Sequence, residues 1–189
     1  MNGLLADVDI IRAVSDGRLG IEPLNRVGQL QPASVDLHLG ADFLVFVPHG
    51  ETHIDPEQPV EVNRHVRKSR EDPFVLHPGE FALGATRETV TLGADLAARL
   101  EGRSSMGRLG LVVHSTAGFI DPGFSGQITL ELANLSPLPI LLRPGLSVAQ
   151  LCLVPLSSPA AYPYGHPDLG SKYQGQRGPV ASRAHEEAP

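Results

Sequence analysis

The hydrophobic residues near the N-terminus follow a helical repeat. Four apolar residues between Asp7 and Val14 recur at helical spacing, so they share one face of a helix. Asp7 stands before them as a candidate N-cap, and the Ser-Asp-Gly run at 15–17 is a stop signal. Residues 7–14 are therefore predicted to form a short helix.

After this helix the apolar period changes to two. Val35, Leu37 and Leu39 alternate with Asp36 and His38, which is typical of a strand with one buried face. Further strands are predicted at 43–47, 74–76, 81–85, 111–114, 128–132, 140–142 and 148–154, with Pro-Gly turn signals among them. Many short strands at close spacing indicate a mostly β fold, as a sandwich, a jelly roll or a distorted barrel.

Two segments depart from this pattern. Residues 57–72 are rich in charge and poor in apolar side chains, so we expect a surface loop. From Ser157 onward the periodicity ends, which fits either a frayed terminus or a lid. Lys172, Arg177 and Arg183 fall in a stretch without acids, and every tyrosine of the chain lies in this tail. This composition favours a lid over an anionic ligand. We expect one domain, 1–189, with 157–189 as its C-terminal lid.

Composition narrows the class of protein. A chain of 189 residues has single-domain length, and its 20 Gly and 17 Pro disfavour long helices. The net charge of −6 argues against a nucleic-acid or anionic membrane surface. The N-terminus lacks a signal-peptide pattern, and no apolar run has bilayer length. We therefore expect a cytoplasmic protein without nucleic-acid or membrane partners.

The single cysteine and the scattered histidines do not predict a metal centre. One thiol, Cys152, excludes a disulfide framework and a Cys-rich zinc site. Its place in an apolar strand predicts a small core residue. The tightest histidine pair, His49 and His53, stands in a loop without the spacing of a metal site.

Two stretches contain candidate chemistry. Residues 101–110 combine arginines, serines and glycines, which suit either a phosphate cradle or a polar turn. In the strand 127–132, Gln127, Thr129 and Glu131 share the face opposite the apolar residues. That face is either solvent-exposed or the wall of a pocket, where Glu131 would shuttle protons. Gln150 lies in another apolar strand, so its amide requires a hydrogen-bonding partner, either the backbone or a ligand.

A series of motifs gives the chain its resemblance to a known family. It resembles the dCTP deaminases, which are related to trimeric dUTPases, from about residue 4 to 183. The motifs are Gln31–Gly40 (QPASVDLHLG), Gly102–Leu111 (GRSSMGRLGL), Thr116–Gly126 (TAGFIDPGFSG), Thr129–Asn134 (TLELAN), Arg143–Gly145 with Gln150–Leu153 (QLCL), and Gly170–Gly178 (GSKYQGQRG).

The resemblance implies a fold, an assembly and residue roles. It implies a distorted jelly roll or β-barrel of the trimeric dUTPase type, with active sites at the interfaces of a homotrimer. Glu131, Ser104 and Arg108 correspond to the catalytic residues. The implied nucleotide-binding residues are Arg103, Ser104, Ser105, Met106, Gly107, Arg108, Asp121, Thr129, Leu130, Glu131, Gln150, Tyr164, Lys172 and Gln176.

The resemblance also implies substrate, cofactor and products. The substrate is dCTP, accompanied by Mg²⁺ held mainly through the triphosphate, and the reaction is independent of zinc; dTTP is a possible feedback inhibitor. Gly118 and Phe119 match the family members that continue to dUMP and diphosphate, whereas those that stop at dUTP carry His-Arg there. We therefore predict a bifunctional hydrolase that forms dUMP. A dUTP-forming deaminase, a plain dUTPase and a non-catalytic nucleotide-binding module remain the alternatives.

Overall fold

Most of the regular structure is antiparallel β-sheet. A computed structural model describes residues 3–47, 50, 52–59 and 63–186. The helices are α1 (Asp7–Ser15), α2 (Arg26–Gln29) and α3 (Ser104–Gly107), and 3₁₀ turns span Pro167–Leu169 and Ala184–Glu186. The strands are β1 (Leu19–Glu22), β2 (Leu30–Gln31), β3 (Ser34–His38), β4 (Asp42–Phe46), β5 (Asn63–Arg67), β6 (Phe74–Leu76), β7 (Phe81–Leu92), β8 (Leu96–Gly102), β9 (Leu111–Val112), β10 (Phe119–Ile120), β11 (Ser125–Asn134), β12 (Ile140–Leu142) and β13 (Ser147–Pro155).

The strands form two main sheets and a small β6–β12 pair. One sheet has the order β5-β4-β7-β11-β9, and β1 pairs with the C-terminal end of β7, from Thr89 to Leu92. The other has the order β10-β8-β13-β3-β2. Within the described residues the sheets stay open instead of closing into a barrel. The prediction of a mostly β, jelly-roll-like fold with a short N-terminal helix is confirmed.

The apolar faces of the two main sheets share one core. Along β11 the side chains alternate strictly between buried and partly exposed, so Ile128, Leu130 and Leu132 point into this core. Full burial of each such leucine contributes about 2 kcal/mol. The predicted face with Gln127, Thr129 and Glu131 is therefore confirmed as the outward one. None of the described helices is long and apolar enough to cross a membrane.

A bulge interrupts the pairing of β7 with β11. Thr89 pairs with Gln127 and Ala85 with Thr129, so Thr86, Arg87 and Glu88 together face Ile128. Side chains provide hydrogen-bonding partners for the backbone groups that the bulge displaces. The Thr86 hydroxyl accepts a hydrogen bond from the Ile128 amide at 2.9 Å and donates one to the Glu88 carbonyl at 2.8 Å. The bulge therefore retains its hydrogen bonds although the regular ladder is broken.

The Glu88 carboxylate connects this bulge to the second sheet. It is only 1% exposed and accepts from the backbone amide of His38 at 2.9 Å. Its other oxygen lies 2.7 Å from His38 Nδ1 and 3.0 Å from Gln29 Nε2. Because a carboxylate offers several acceptor positions, one buried side chain satisfies three donors.

The N-cap of α1 lies one residue earlier than predicted. Ala6, in extended conformation, occupies the N-cap position, and its carbonyl accepts from the Ile10 amide. Asp7, the predicted N-cap, is the first helical residue, where its carboxylate accepts from the Val8 amide. Asp7 and Asp9 both lie in the first turn, where negative charge stabilises a helix.

The sheet contains strands that the sequence pattern did not predict. β8 is rich in alanine, leucine and charged residues, which favour helix, but its pairing with β13 determines the outcome. β1 was also missed, and β7 continues beyond Ala85 to Leu92. The expectation of an irregular loop at 57–72 is wrong in part, because Asn63–Arg67 pairs with β4. Cross-strand pairing there outweighs the low hydrophobicity.

Cys152 is not the core residue that its apolar strand predicted. In β13 it lies on the same face as Gln150 and is only partly buried, while Leu151 and Leu153 are in the core. Partial burial raises the pKa of its thiol, and the Glu101 carboxylate raises it further.

We predict that Glu88→Gln lowers the free energy of unfolding by about 2 kcal/mol. An amide nitrogen would then replace one of the two acceptor oxygens and face a buried donor. Urea denaturation measures the change. Glu57→Gln, on the exposed part of the 52–59 segment, is the matched control and should leave the midpoint unchanged. An equally unchanged midpoint for Glu88→Gln would contradict the assigned role.

Candidate active site

A large cleft of about 1220 Å³ lies between the outward face of β11 and the C-terminal segment. The turn that joins β10 to β11 forms one wall, and the segment 169–173 forms another. Seven of the predicted site residues line it: Phe119, Asp121, Thr129, Glu131, Tyr164, Lys172 and Gln176. The structure thus brings together seven of the sixteen predicted site residues.

Glu131 projects from the middle of β11 into the cleft. Its Oε2 accepts a hydrogen bond from the backbone amide of Ser115 at 2.7 Å, and its own amide donates to the Val113 carbonyl at 3.0 Å. The segment after β9 therefore holds the carboxylate in place. Leu130, the preceding residue and also a predicted site residue, has its side chain fully in the core and does not line the cleft.

Tyr164 anchors the C-terminal segment at the turn before β11. Its amide donates to the Pro122 carbonyl at 2.7 Å, and its ring packs against Phe124 with centroids 5.9 Å apart. Gly123 allows this approach, because a Cβ there would lie 2.6 Å from Pro163 and its φ of +89° suits glycine. The Tyr164 hydroxyl then accepts from the Tyr173 amide at 3.0 Å.

Arg183 is held by other residues of the tail. Arg183 donates to the Lys172 carbonyl at 2.6 Å, and its guanidinium lies 6.0 Å from the centre of the Tyr173 ring. The backbone between them is thereby folded back on itself. Lys172, which lines the cleft, is positioned as the cation that would meet an anion bound there.

Seven of the remaining predicted residues, 103–108 and Gln150, form a second cluster at the end of β8 and in β13, on the other sheet. Arg103 leads into α3, whose Ser104, Ser105 and Gly107 are exposed; Met106 is buried, and exposed Arg108 follows the helix. Of the residues described, none from 103 to 108 lines the cleft. The predicted catalytic residues Ser104 and Arg108 therefore do not line the cleft that Glu131 enters.

Asp36 organises the second cluster. Its carboxylate is 4% exposed and lies 3.2 Å from the Arg103 guanidinium. Its other oxygen accepts from Gln150 Nε2 at 3.1 Å, and Ser34 Oγ lies 3.4 Å from the same nitrogen. The Gln150 amide thus has a partner, but it is the Asp36 carboxylate and not the backbone or ligand that was predicted. Both Arg103 and Gln150 are oriented before any ligand arrives.

Gly118 is tightly enclosed. A Cβ on it would lie 2.8 Å from the Leu100 carbonyl oxygen and 3.1 Å from the His114 ring. Its carbonyl accepts from the Leu100 amide at 2.7 Å, which continues the pairing of β10 with β8. Phe119 follows with its side chain 60% exposed at the cleft. Packing alone therefore explains a glycine at this position.

Three residues of the site escaped the sequence analysis. Asp36 alternates with apolar residues, a pattern that also describes an ordinary solvent-facing position. Ser115 acts through its backbone amide, which no side-chain pattern reveals. Gln127 was placed on the correct face without any function assigned to it.

Comparison with known sequences identifies the family. The profile described as dCTP deaminase-like matches residues 4–156. The chain belongs to this family. A protein of Kocuria rhizophila named dCTP deaminase, dUMP-forming, is 58% identical over 96% of this chain and 95% of its own length. A protein of the same name from Streptomyces coelicolor is 56% identical, with the same coverage.

Solved structures agree with this family. The crystal structure of 2′-deoxycytidine 5′-triphosphate deaminase from Agrobacterium tumefaciens is similar to this dCTP deaminase-like chain, with a TM-score of 0.64 and 27% identity. The match covers 82% of this chain and 48% of that chain, so this chain spans about half of its length. Among the described residues, no group of three His, Cys, Asp or Glu side chains is arranged to hold a metal ion.

We predict that Asp36→Asn lowers the free energy of unfolding by about 2 kcal/mol, because it leaves Arg103 without its carboxylate partner at a mostly buried site. Chemical denaturation measures this loss. The control is Asp72→Asn, which removes the partner of Lys68 at the surface and should change stability by less than about 0.5 kcal/mol. Equal effects of the two substitutions would refute the organising role of Asp36.

Proposed function

We propose that this chain is a cytoplasmic hydrolase that converts dCTP and two waters to dUMP, diphosphate and ammonia. The observation that supports it best is the pair of carboxylates, Glu131 and Asp121, in one cleft beneath the C-terminal segment. Deamination and phosphate hydrolysis occur at opposite ends of a nucleotide, so each requires its own group. The names of relatives that match nearly the whole chain support the same products.

Glu131 is the proposed general base for deamination. Water attacks C4 of cytosine while Glu131 takes its proton and returns it, and ammonia leaves. Because Oε2 is occupied by the Ser115 amide, we assign the water to Oε1. Ser104 and Arg108 orient the water and stabilise the charge that develops.

A second subunit would bring the two clusters together. We propose a homotrimer in which the segment 103–108 of one chain completes the cleft of its neighbour. The support is that the described cleft contains the acids and Lys172 but not this segment. Arg103, Ser105, Met106 and Gly107 would then contact the triphosphate, with Arg103 already oriented by Asp36. Gln150 belongs to the same group.

The tail and Asp121 are proposed to act at the phosphate end of the nucleotide. Lys172 and Gln176 bind the nucleotide from residues 157–189, which we propose to act as a lid. Asp121 orients the water that attacks the α-phosphorus, and diphosphate leaves. Magnesium, held mainly by phosphate oxygens, would neutralise part of the triphosphate charge. We also propose dTTP as an inhibitor that occupies the same cleft.

Product analysis tests the reaction. Purified protein incubated with dCTP and Mg²⁺ should release ammonia and dUMP together, without accumulating dUTP, as measured by chromatography of the nucleotides. Accumulation of dUTP alone would show a deaminase that stops at the first product. Hydrolysis of added dUTP with no release of ammonia from dCTP would indicate a dUTPase, and nucleotide binding without turnover would indicate a binding module. Each of these three results would refute the proposed reaction.

Mixed oligomers test the shared site. Glu131→Gln and Ser104→Ala should each reduce deamination at least about 100-fold, because each removes a proton-transfer or orienting group. Co-assembly of the two variants should restore about a quarter of the wild-type sites, since a random trimer pairs intact Glu131 with intact Ser104 of the neighbour at that frequency. No recovery in verified mixed trimers would place both residues in one subunit. Wild-type protein co-assembled with itself by the same procedure is the control.

A further inference from the structure

The tail runs beside the first half of β11. The Gly175 amide donates to the Ser125 carbonyl at 2.7 Å, and the Gln127 amide donates to the Gln176 carbonyl at 3.0 Å. Along the described part of β11, β9 pairs on this side only with Ala133 and Asn134, so the edge at 125–129 is open to the tail. The tail therefore docks on a sheet edge through backbone hydrogen bonds.

Gly126 makes this approach possible. A Cβ on this residue would lie 3.1 Å from both the backbone nitrogen and the carbonyl oxygen of Gln176. Backbone on both sides leaves little room to yield, so a side chain at 126 would move the tail outward. The contact is consequently between two main chains at close range.

The Gln127 side chain joins the tail to the bulge in β7. Its Nε2 donates to the Thr86 carbonyl at 2.9 Å and to the Arg87 carbonyl at 3.2 Å. Its Oε1 accepts from the Gly178 amide at 2.6 Å. The two carbonyls determine the orientation of the amide group, because only the nitrogen end can donate to them. The oxygen is thereby aimed at Gly178.

We infer that Gln127 is the latch that holds the C-terminal lid closed, a positioning residue that does not itself touch the nucleotide. It is absent from the described lining of the cleft, whereas Gln176, two residues before Gly178, is part of it. Tyr164 holds the lid at one end, the backbone bonds of Gly175 and Gln176 hold its middle, and this latch holds the residues that follow. Release of Gly178 therefore loosens the end of the lid beyond Gln176, which lines the cleft. The effect on nucleotide binding rests on the proposed function; the effect on the lid does not.

Two substitutions separate the ends of the amide. Gln127→Lys keeps a donor for the bulge carbonyls but removes the acceptor for Gly178. Gln127→Glu keeps an acceptor for Gly178 but repels the two carbonyls. We expect Gln127→Lys to fold with nearly unchanged stability but with a loosened lid. Gln127→Glu should instead lower the stability of the fold.

Hydrogen exchange of the tail amides is the primary measurement, made on the full chain without nucleotide. Loss of one hydrogen bond should accelerate exchange at Gly178 and Val180 by about 3- to 10-fold in Gln127→Lys. The KM for dCTP should rise by about the same factor while kcat changes less than about twofold, because the lid contact is made in binding. Thr91→Val is the control, since Thr91 bonds Ser125 across the same strands and should alter neither quantity.

Each outcome decides the inference. Unchanged exchange at Gly178 in folded Gln127→Lys would overturn the latch. Faster exchange with an unchanged KM would overturn its part in nucleotide binding. A wild-type chain that turns over no dCTP would refute the proposed function instead, and the exchange comparison would still decide whether Gln127 holds the lid.

Discussion

The bulge at Thr86–Glu88 is the constraint on which the site depends. Three residues of β7 face one residue of β11, so backbone groups that would have paired in a ladder must find other partners. Thr86 supplies one of these partners from within the bulge, and Gln127 supplies another from β11. Polar side chains therefore lie on both sides of the bulge and supply the hydrogen bonds that the ladder lacks there.

The polar groups on the two sides of the bulge lead to the two clusters of the site. On one side, the Gln127 side chain donates to a bulge carbonyl and accepts from the tail, and so connects the two. On the other, the Glu88 carboxylate binds Gln29, whose amide also donates to the Asp36 carbonyl at 2.9 Å. The Asp36 side chain in turn holds Arg103. Because every step is a hydrogen bond or ion pair among largely buried groups, displacement of the bulge would disturb both clusters.

The sequence predicted those parts of the site that depend on local periodicity. The alternation in β11 correctly assigned Glu131 to the outward face, because a period of two leaves no other arrangement. Asp36 follows the same alternation, but its burial depends on strands distant in sequence. β8 was missed because its alanines favour a helix, whereas its pairing with β13 requires an extended chain. The motifs located 103–108 and Glu131 in the chain, but not which of them line the cleft, which is a property of the fold.

Gly118 shows how packing can link the two proposed activities. Its backbone ties β10 to β8 through Leu100, and Asp121 follows directly after β10. A side chain at 118 would press on the Leu100 carbonyl and displace β10, and Asp121 would move with it. Glu131 is held separately, by the ladder of β11 with β7 and by Ser115. On the proposed roles, a larger residue at 118 would therefore disturb phosphate hydrolysis through β10, and deamination through the His114 ring, which precedes the Ser115 amide that binds Glu131.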